Sequence, residues 1–237
     1  MQHKTFAVLA IALWASAAHS QDAAMSSHAV KGVPFSAEVV NETIRVLQDG
    51  NRIHHETHGK LFRDSEGRSR RESTTITYGG ETFDEIAISD PIQQHFIFLS
   101  TQGDKIATVH HVDTAQDAVS KPAQVSNADA KPQSPEAIKQ PCHLAQEFED
   151  LGTKMMEGFT VCGMKWTRTI AAGKIGNEMP IVDVREVWVS SELHEVLLSD
   201  IDDPQTGHRI TRLVNIKRNE PDPALFQIPP DYTVKTQ

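Results

Sequence analysis

The chain holds 237 residues, 23 basic and 32 acidic, for a formal charge of −9, with 38% hydrophobic and 6% aromatic residues and two cysteines. That apolar content excludes a wholly disordered chain, and no heptad or collagen-like triplet recurs. The acidic balance argues against nucleic-acid binding, because phosphate neutralisation needs clustered Lys and Arg.

The first 20 residues read as a Sec-type signal peptide. Lys4 supplies the positive start, Phe6 to Ala17 the apolar run, and Ala18-His19-Ser20 the small residues before a mature start at Gln21. The run is too short to span a bilayer, and no later stretch approaches the roughly 18 apolar residues of a membrane helix. The expectation is therefore an exported protein, periplasmic or secreted, that does not span a membrane. Loss of Lys4 leaves 22 basic against 32 acidic residues, a mature charge of −10. Export also permits a disulfide between Cys142 and Cys162, closing a loop worth roughly 3 kcal/mol by chain entropy. The alternative is two unpaired thiols.

Residues 21–34 are small and polar, and read as a loose leader. Phe35–Leu47 is the first predicted strand, and Asp49-Gly50-Asn51 turns it into Arg52–Arg63. Asp64 to Gly67 turns again into Arg68–Tyr78, which Gly79-Gly80 breaks. A short strand over Ile86–Ser89 ends at Asp90-Pro91, and Gln94–Ser100 pairs with Lys105–Val112 across Thr101–Asp104. Residues 113–141 carry four prolines and no apolar period, so they read as a disordered linker.

The second half repeats the strand pattern without a convincing sequence repeat. Phe148–Met156 and Phe159–Ile170 flank the turn dipeptide Glu157-Gly158, and Ile181–Ser190 and Glu195–Ile201 flank residues 191–194. His208–Arg218 follows, with Ile210, Val214 and Ile216 at a strand period. Pro221 to Phe226 reads as a helical turn capped by Asp222 with Pro223 first. The best helix candidate, Pro135–Phe148, is interrupted by Pro141. The predicted fold is mostly β: one antiparallel sheet of about ten strands, built from 35–112 and 142–237, with few short helices. With so little to cover it, the sheet is expected to curve into a half-barrel with a partly open concave face.

Thr167 to Ile170, Ala172 to Asn177, Pro180-Ile181, Glu186 to Ser190, Leu193 and the ending Glu220 to Tyr232 resemble a group of secreted, uncharacterised bacterial proteins. Leu61 to Arg68 and Ile88 to Pro91 fit the same group. More remotely, the layout is similar to the lipoprotein-carrier superfamily of LolA, LolB and the RseB sensor. That resemblance implies a half-barrel that holds acyl chains.

No GxSxG or HExxH stands in the chain, so no catalytic residue is assigned. His54, Glu56 and His58 share one strand face and could bind metal, as could His110 and His111 nearby. Same-face neighbours lie about 7 Å apart, so adjacent strands would have to complete a site. A solvated polar face is the preferred explanation, and no metal or other cofactor is expected. Arg68, Arg70 and Arg71 could meet an anionic headgroup or acidic partner, or merely keep an edge soluble. Trp166 and Trp188 read either as core or as the walls of an apolar cleft. Gly173 to Asn177 lacks the GK[ST] ending of a phosphate loop, and Asp200, Asp202 and Asp203 do not have EF-hand spacing. The leading expectation is a non-enzymatic exported protein that binds a hydrophobic ligand, a lipid or acyl chain, in the half-barrel cleft. The alternatives are an envelope sensor or protein-interaction module on the same scaffold, and a hydrolase with a dispersed site.

Overall fold

The computed structural model describes residues 30–77, 79–111 and 148–237. The expected signal peptide, the linker 113–141, the helix candidate before Phe148 and Cys142 lie outside them. So does most of the expected leader, but its last residues are tied down. The Gly32 amide donates to Ser65 O at 2.8 Å, and Val33 packs on a core cluster.

One sheet of twelve strands runs through both halves, in the order β12-β6-β5-β4-β3-β2-β1-β11-β10-β9-β8-β7. The first half is a meander: β1 (Phe35–Val46), β2 (Arg52–Arg63), β3 (Ser69–Ile76), β4 (Thr82–Asp90), β5 (His95–Ser100) and β6 (Ile106–His111). The second is another: β7 (Glu149–Met156), β8 (Phe159–Ile170), β9 (Ile181–Ser190), β10 (Glu195–Asp203) and β11 (Gly207–Lys217). Antiparallel pairing of β1 with β11 joins the halves at the centre. A turn of 3-10 helix, Pro223–Phe226, leads to β12 (Thr233–Thr236), which pairs parallel to β6 at one edge. The sheet is open, because its edge strands β12 and β7 do not pair with each other.

Turn chemistry sets the meanders. Glu157 and Gly158 both take positive φ, 49° and 80°, the type I′ geometry whose twist matches the flanking strands β7 and β8. The β4–β5 and β9–β10 connections are alike. Each ends in a left-handed residue, Gln94 (φ 54°) or His194 (φ 50°), and each begins with a buried polar cap. Asp90 Oδ1 accepts the Ile92 and Gln93 amides, and Ser190 Oγ accepts the Leu193 amide.

Two core clusters lie on opposite faces. Leu61 packs against the first and Phe62 against the second, and successive residues of a strand point to opposite faces. The first holds Phe35, Val39, Phe159, Val161, Trp188, Leu193, Leu197 and Leu213. The sheet curls toward this face. Arg63 of β2 reaches the Leu193 carbonyl and Glu195 of β10, across strands that would set them about 14 Å apart in a flat sheet. The guanidinium of Arg218, at the end of β11, likewise stands 4.2 Å from the centre of the Phe159 ring. At the centre of the sheet the concave face is therefore filled by the chain's own side chains, where the sequence led us to expect a partly open cleft. The second cluster, Ile88, Ile97, Leu99, Ala107, Val109 and Phe226, lies on the outer face of β4–β6, where the C-terminal segment crosses it.

Candidate functional site

The outer-face crossing makes a groove. Chain leaving β11 returns over β3 as a strap held by several contacts. Glu220 accepts both the amide and the hydroxyl of Ser65, at 3.1 and 3.2 Å. Asp222 caps the 3-10 turn through the Ala224 amide (2.9 Å), with Pro223 in the first turn, as the sequence indicated. Arg70 donates to Leu225 O at 3.1 Å, which seats Phe226 on the sheet. Lys105 then pairs with Asp231, and the Thr233 amide bonds Lys105 O to start β12.

Between strap and sheet lies a cavity of about 530 Å³, floored by Ile97 and Val109 and walled by Phe226 and Ile228. One end is polar. Asp90, His95 and His111 are successive direct partners across β4, β5 and β6, so they form one row on the outer face. The His95 and His111 rings meet edge to face, centroids 4.4 Å apart. Arg68 closes this end, 5.3 Å from the Phe226 ring centre and ion-paired to Asp64 at 2.6 Å. Burial alone pulls the Arg68 guanidinium down. The Asp64 hydrogen bond and the charges of Asp64, Glu66 and Asp90 outweigh it and hold the group above its ordinary value.

The residues singled out from sequence are dispersed. Trp188 is buried in the first cluster, its indole N–H donating to Glu186, with the Lys154 ammonium 3.5 Å from the ring centre. Trp166 lies on the opposite face, beside Phe148, because Gly163 is the partner of Trp188 and Trp166 that of Arg185. The two indoles therefore do not line one cleft. Arg70 and Arg71 also point to opposite faces. Arg70 is half-buried and spoken for by Glu72 (2.8 Å) and Leu225 O, while Arg71 lies exposed on the concave side. His54, Glu56 and His58 share a face as expected. His54 stands beside Glu42 (3.7 Å) and His58 beside Glu56 (3.1 Å). Among the described residues no three His, Cys, Asp or Glu side chains are grouped to hold a metal. Cys162 is disulfide-bonded, and the chain's other cysteine, Cys142, lies outside the described residues.

The sequence reading missed His95, Phe226 and Ile228 as site residues. The signal was present in the predicted hairpin of residues 94–112, whose two ends carry histidines, and in the apolar Phe226 and Ile228 of an otherwise polar tail.

No family model and no curated protein matches the sequence. Solved structures do. An uncharacterized conserved protein from Thermus thermophilus aligns with a TM-score of 0.45 at 10% identity, over 87% of this chain and 91% of that one. A chain of the Pseudomonas aeruginosa MucA/MucB complex aligns at 0.40 and 11%, over 86% and 58%. The Mycobacterium tuberculosis lipoprotein LppX aligns at 0.32 and 11%, over 79% and 87%. These likenesses are remote, and no role is taken from them.

Proposed function

We propose that the chain is an exported, non-enzymatic binding protein that takes a hydrophobic ligand, a lipid or acyl chain, in the groove beneath the C-terminal strap. One observation carries this reading: a cavity of about 530 Å³ lined by Ile97, Val109, Phe226, Ile228 and Val234, with Gln227 and Thr236 among them and a polar end at Arg68, Asp90, His95 and His111. Its size falls within the roughly 300–1,000 Å³ of ligand sites, which combine apolar side chains with a few polar groups. Each methylene buried there contributes about 0.8 kcal/mol. Export places such a protein in the envelope, where lipids are abundant.

The test is native mass spectrometry of the exported protein after exposure to lipid extract, with Val234→Trp, at an exposed position lining the cavity, as a blocked groove. An amphiphile retained by the wild type and lost in the blocked variant supports the reading. A wild type that retains nothing, or equal retention by both, refutes it.

A second reading, a protein-interaction module, is favoured by the concave side of β5. Phe98 is 49% exposed there and meets Phe96 and His110 edge-on. Large exposed apolar groups of this kind mark interaction surfaces. Phe98→Glu should then abolish capture of an envelope partner without changing lipid retention.

A further inference from the structure

We propose that His95 and His111, paired directly across β5 and β6 with Asp90 next in the same row, bind a divalent transition-metal ion such as zinc or copper. The inference concerns the polar end of the same groove, but it needs no lipid to be bound there, and its test uses none.

The geometry comes from register. Directly opposed residues in antiparallel strands have Cβ atoms about 4.5–5.5 Å apart on one face. The 4.4 Å centroid separation of the two imidazoles follows from that spacing. A common ion needs one nitrogen of each ring at about 2.0–2.1 Å, which requires the two rings to turn out of their edge-to-face contact.

Three further observations favour a cation. First, among the described residues neither ring is held in an ion pair with a carboxylate. His54, His58 and His208 each stand beside a carboxylate, at 3.7, 3.1 and 2.6 Å. The contact made by His95 and His111, among the described residues, is the ring contact with each other. Second, a carboxylate is fixed alongside. Asp90 Oδ1 accepts two turn amides, at 2.9 and 3.0 Å, and Oδ2 accepts neither. Third, the Arg68 guanidinium at this end is neutralised by its ion pair with Asp64 at 2.6 Å, so it does not oppose a cation beside Asp90. Imidazole selects zinc, copper or nickel over magnesium or calcium. With no third ligand already in place, the two imidazoles bind the ion, water completes its shell and Asp90 supplies the balancing charge.

The test is titration of the full chain with zinc alone in a non-coordinating buffer, read by NMR of the histidine ring nitrogens. One equivalent should shift His95 and His111 together, with a roughly micromolar Kd. His95→Gln and His111→Gln should each weaken binding at least about tenfold, the low end of what loss of even a supporting residue costs a metal site. The double variant His54→Gln/His58→Gln should bind as the wild type does. Shifts confined to other histidines, or unchanged affinity in His111→Gln, would overturn the proposal. His111 is exposed, so its variant keeps the fold. If His95→Gln unfolds, His111→Gln and the copper(II) EPR spectrum, which loses one nitrogen coupling, still decide the matter.

Discussion

Arg63 is the residue on which the curl of the sheet most depends, and its removal gives the sharpest test of the architecture. Its side chain is 7% exposed. Nε donates to Val33 O at 3.2 Å, one terminal nitrogen to Leu193 O and the other to Glu195 at 3.4 Å, with the Phe35 ring centre 4.7 Å away. Arg63→Met keeps most of the packing volume and removes every one of those donors. Breaking a buried ion pair by deleting one partner costs about 3–5 kcal/mol. Glu195 keeps 23% exposure, so the lower end, about 3 kcal/mol, applies.

The cost must depend on pH. Burial pushes the Glu195 carboxyl up, while the charges of Arg63 and Arg71 oppose the rise. Without Arg63 it rises further. A carboxyl raised in the folded state holds its proton more tightly there than in the unfolded chain, so its ionisation destabilises. The Arg63→Met penalty is therefore smallest below the ordinary glutamate range and grows as pH rises through the folded value. Urea unfolding at about pH 4.5 and 7.5, followed by tryptophan fluorescence, reads the difference. Glu195→Gln in the Arg63→Met background should recover part of the loss at the higher pH and little at the lower. A cost under about 1 kcal/mol at the higher pH, or an equal cost at both, would refute the argument.

Gly163 has no room for a side chain. A Cβ there would stand 2.6 Å from the Trp188 ring and 2.8 Å from Leu151 Cβ, so Gly163→Ala should cost about 1–3 kcal/mol in thermal unfolding and Trp188→Leu should restore much of it. Asp222→Ala removes the cap of the strap; a loss of about 1 kcal/mol and faster proteolysis after residue 220 are expected, with the strands unaffected in the far-UV CD. The Lys105–Asp231 pair gives the start of β12 a pH dependence at both extremes. The hydrogen bond holds Asp231 below and Lys105 above its ordinary value, so the support is lost as pH falls through the Asp231 value and again as it rises through the Lys105 value. Protection of the Thr233 amide, corrected for intrinsic exchange, should fall at both ends and lose that dependence in Asp231→Asn.

The strands that the sequence revealed are those whose burial alternates. In β1, Phe35, Ala37 and Val39 are buried, and the predicted start at Phe35 is the observed one. The pattern misleads where a bulge intervenes. Ile210, Val214 and Ile216 read as one face of β11. Asn215 instead takes φ 54°, the pairing with β1 shifts between Ser36 and Glu38, and Leu213 is the residue buried. The fourth strand begins at Thr82, not Ile86, because Thr82 to Glu85 hold it through backbone pairing and through Thr74–Asp84 and Thr75–Glu85 bonds, which no apolar pattern records. β12, among the strands beyond the ten expected, has four exposed residues and is fixed by pairing with β6 alone. The groove was hidden for a related reason. It is made by the tail folding back over β5 and β6, and the His95–His111 row needs a hairpin register that turn residues only suggest.

An open twelve-stranded sheet has two free edges, which invite pairing with other chains. Both are blunted. β12 is four residues long and carries Lys235, while β7 is bulged between Asp150 and Gly152 and carries Lys154. The strap thus does three things with one segment. It shortens an edge, buries Phe226 against the second cluster, and walls the groove. If the groove takes a ligand as proposed, its affinity and the stability of the first half are coupled. A ligand that binds only the closed strap stabilises it by RT ln(1 + [L]/Kd), about 2.7 kcal/mol at a hundredfold excess over Kd. By the same linkage, a weakened strap is open for a fraction of the time, and the apparent affinity falls by that fraction. Asp222→Ala should therefore weaken binding in the groove while touching neither Ile97 nor Val109, whereas substitutions in the first cluster, on the opposite face, should leave binding unchanged until the sheet itself unfolds.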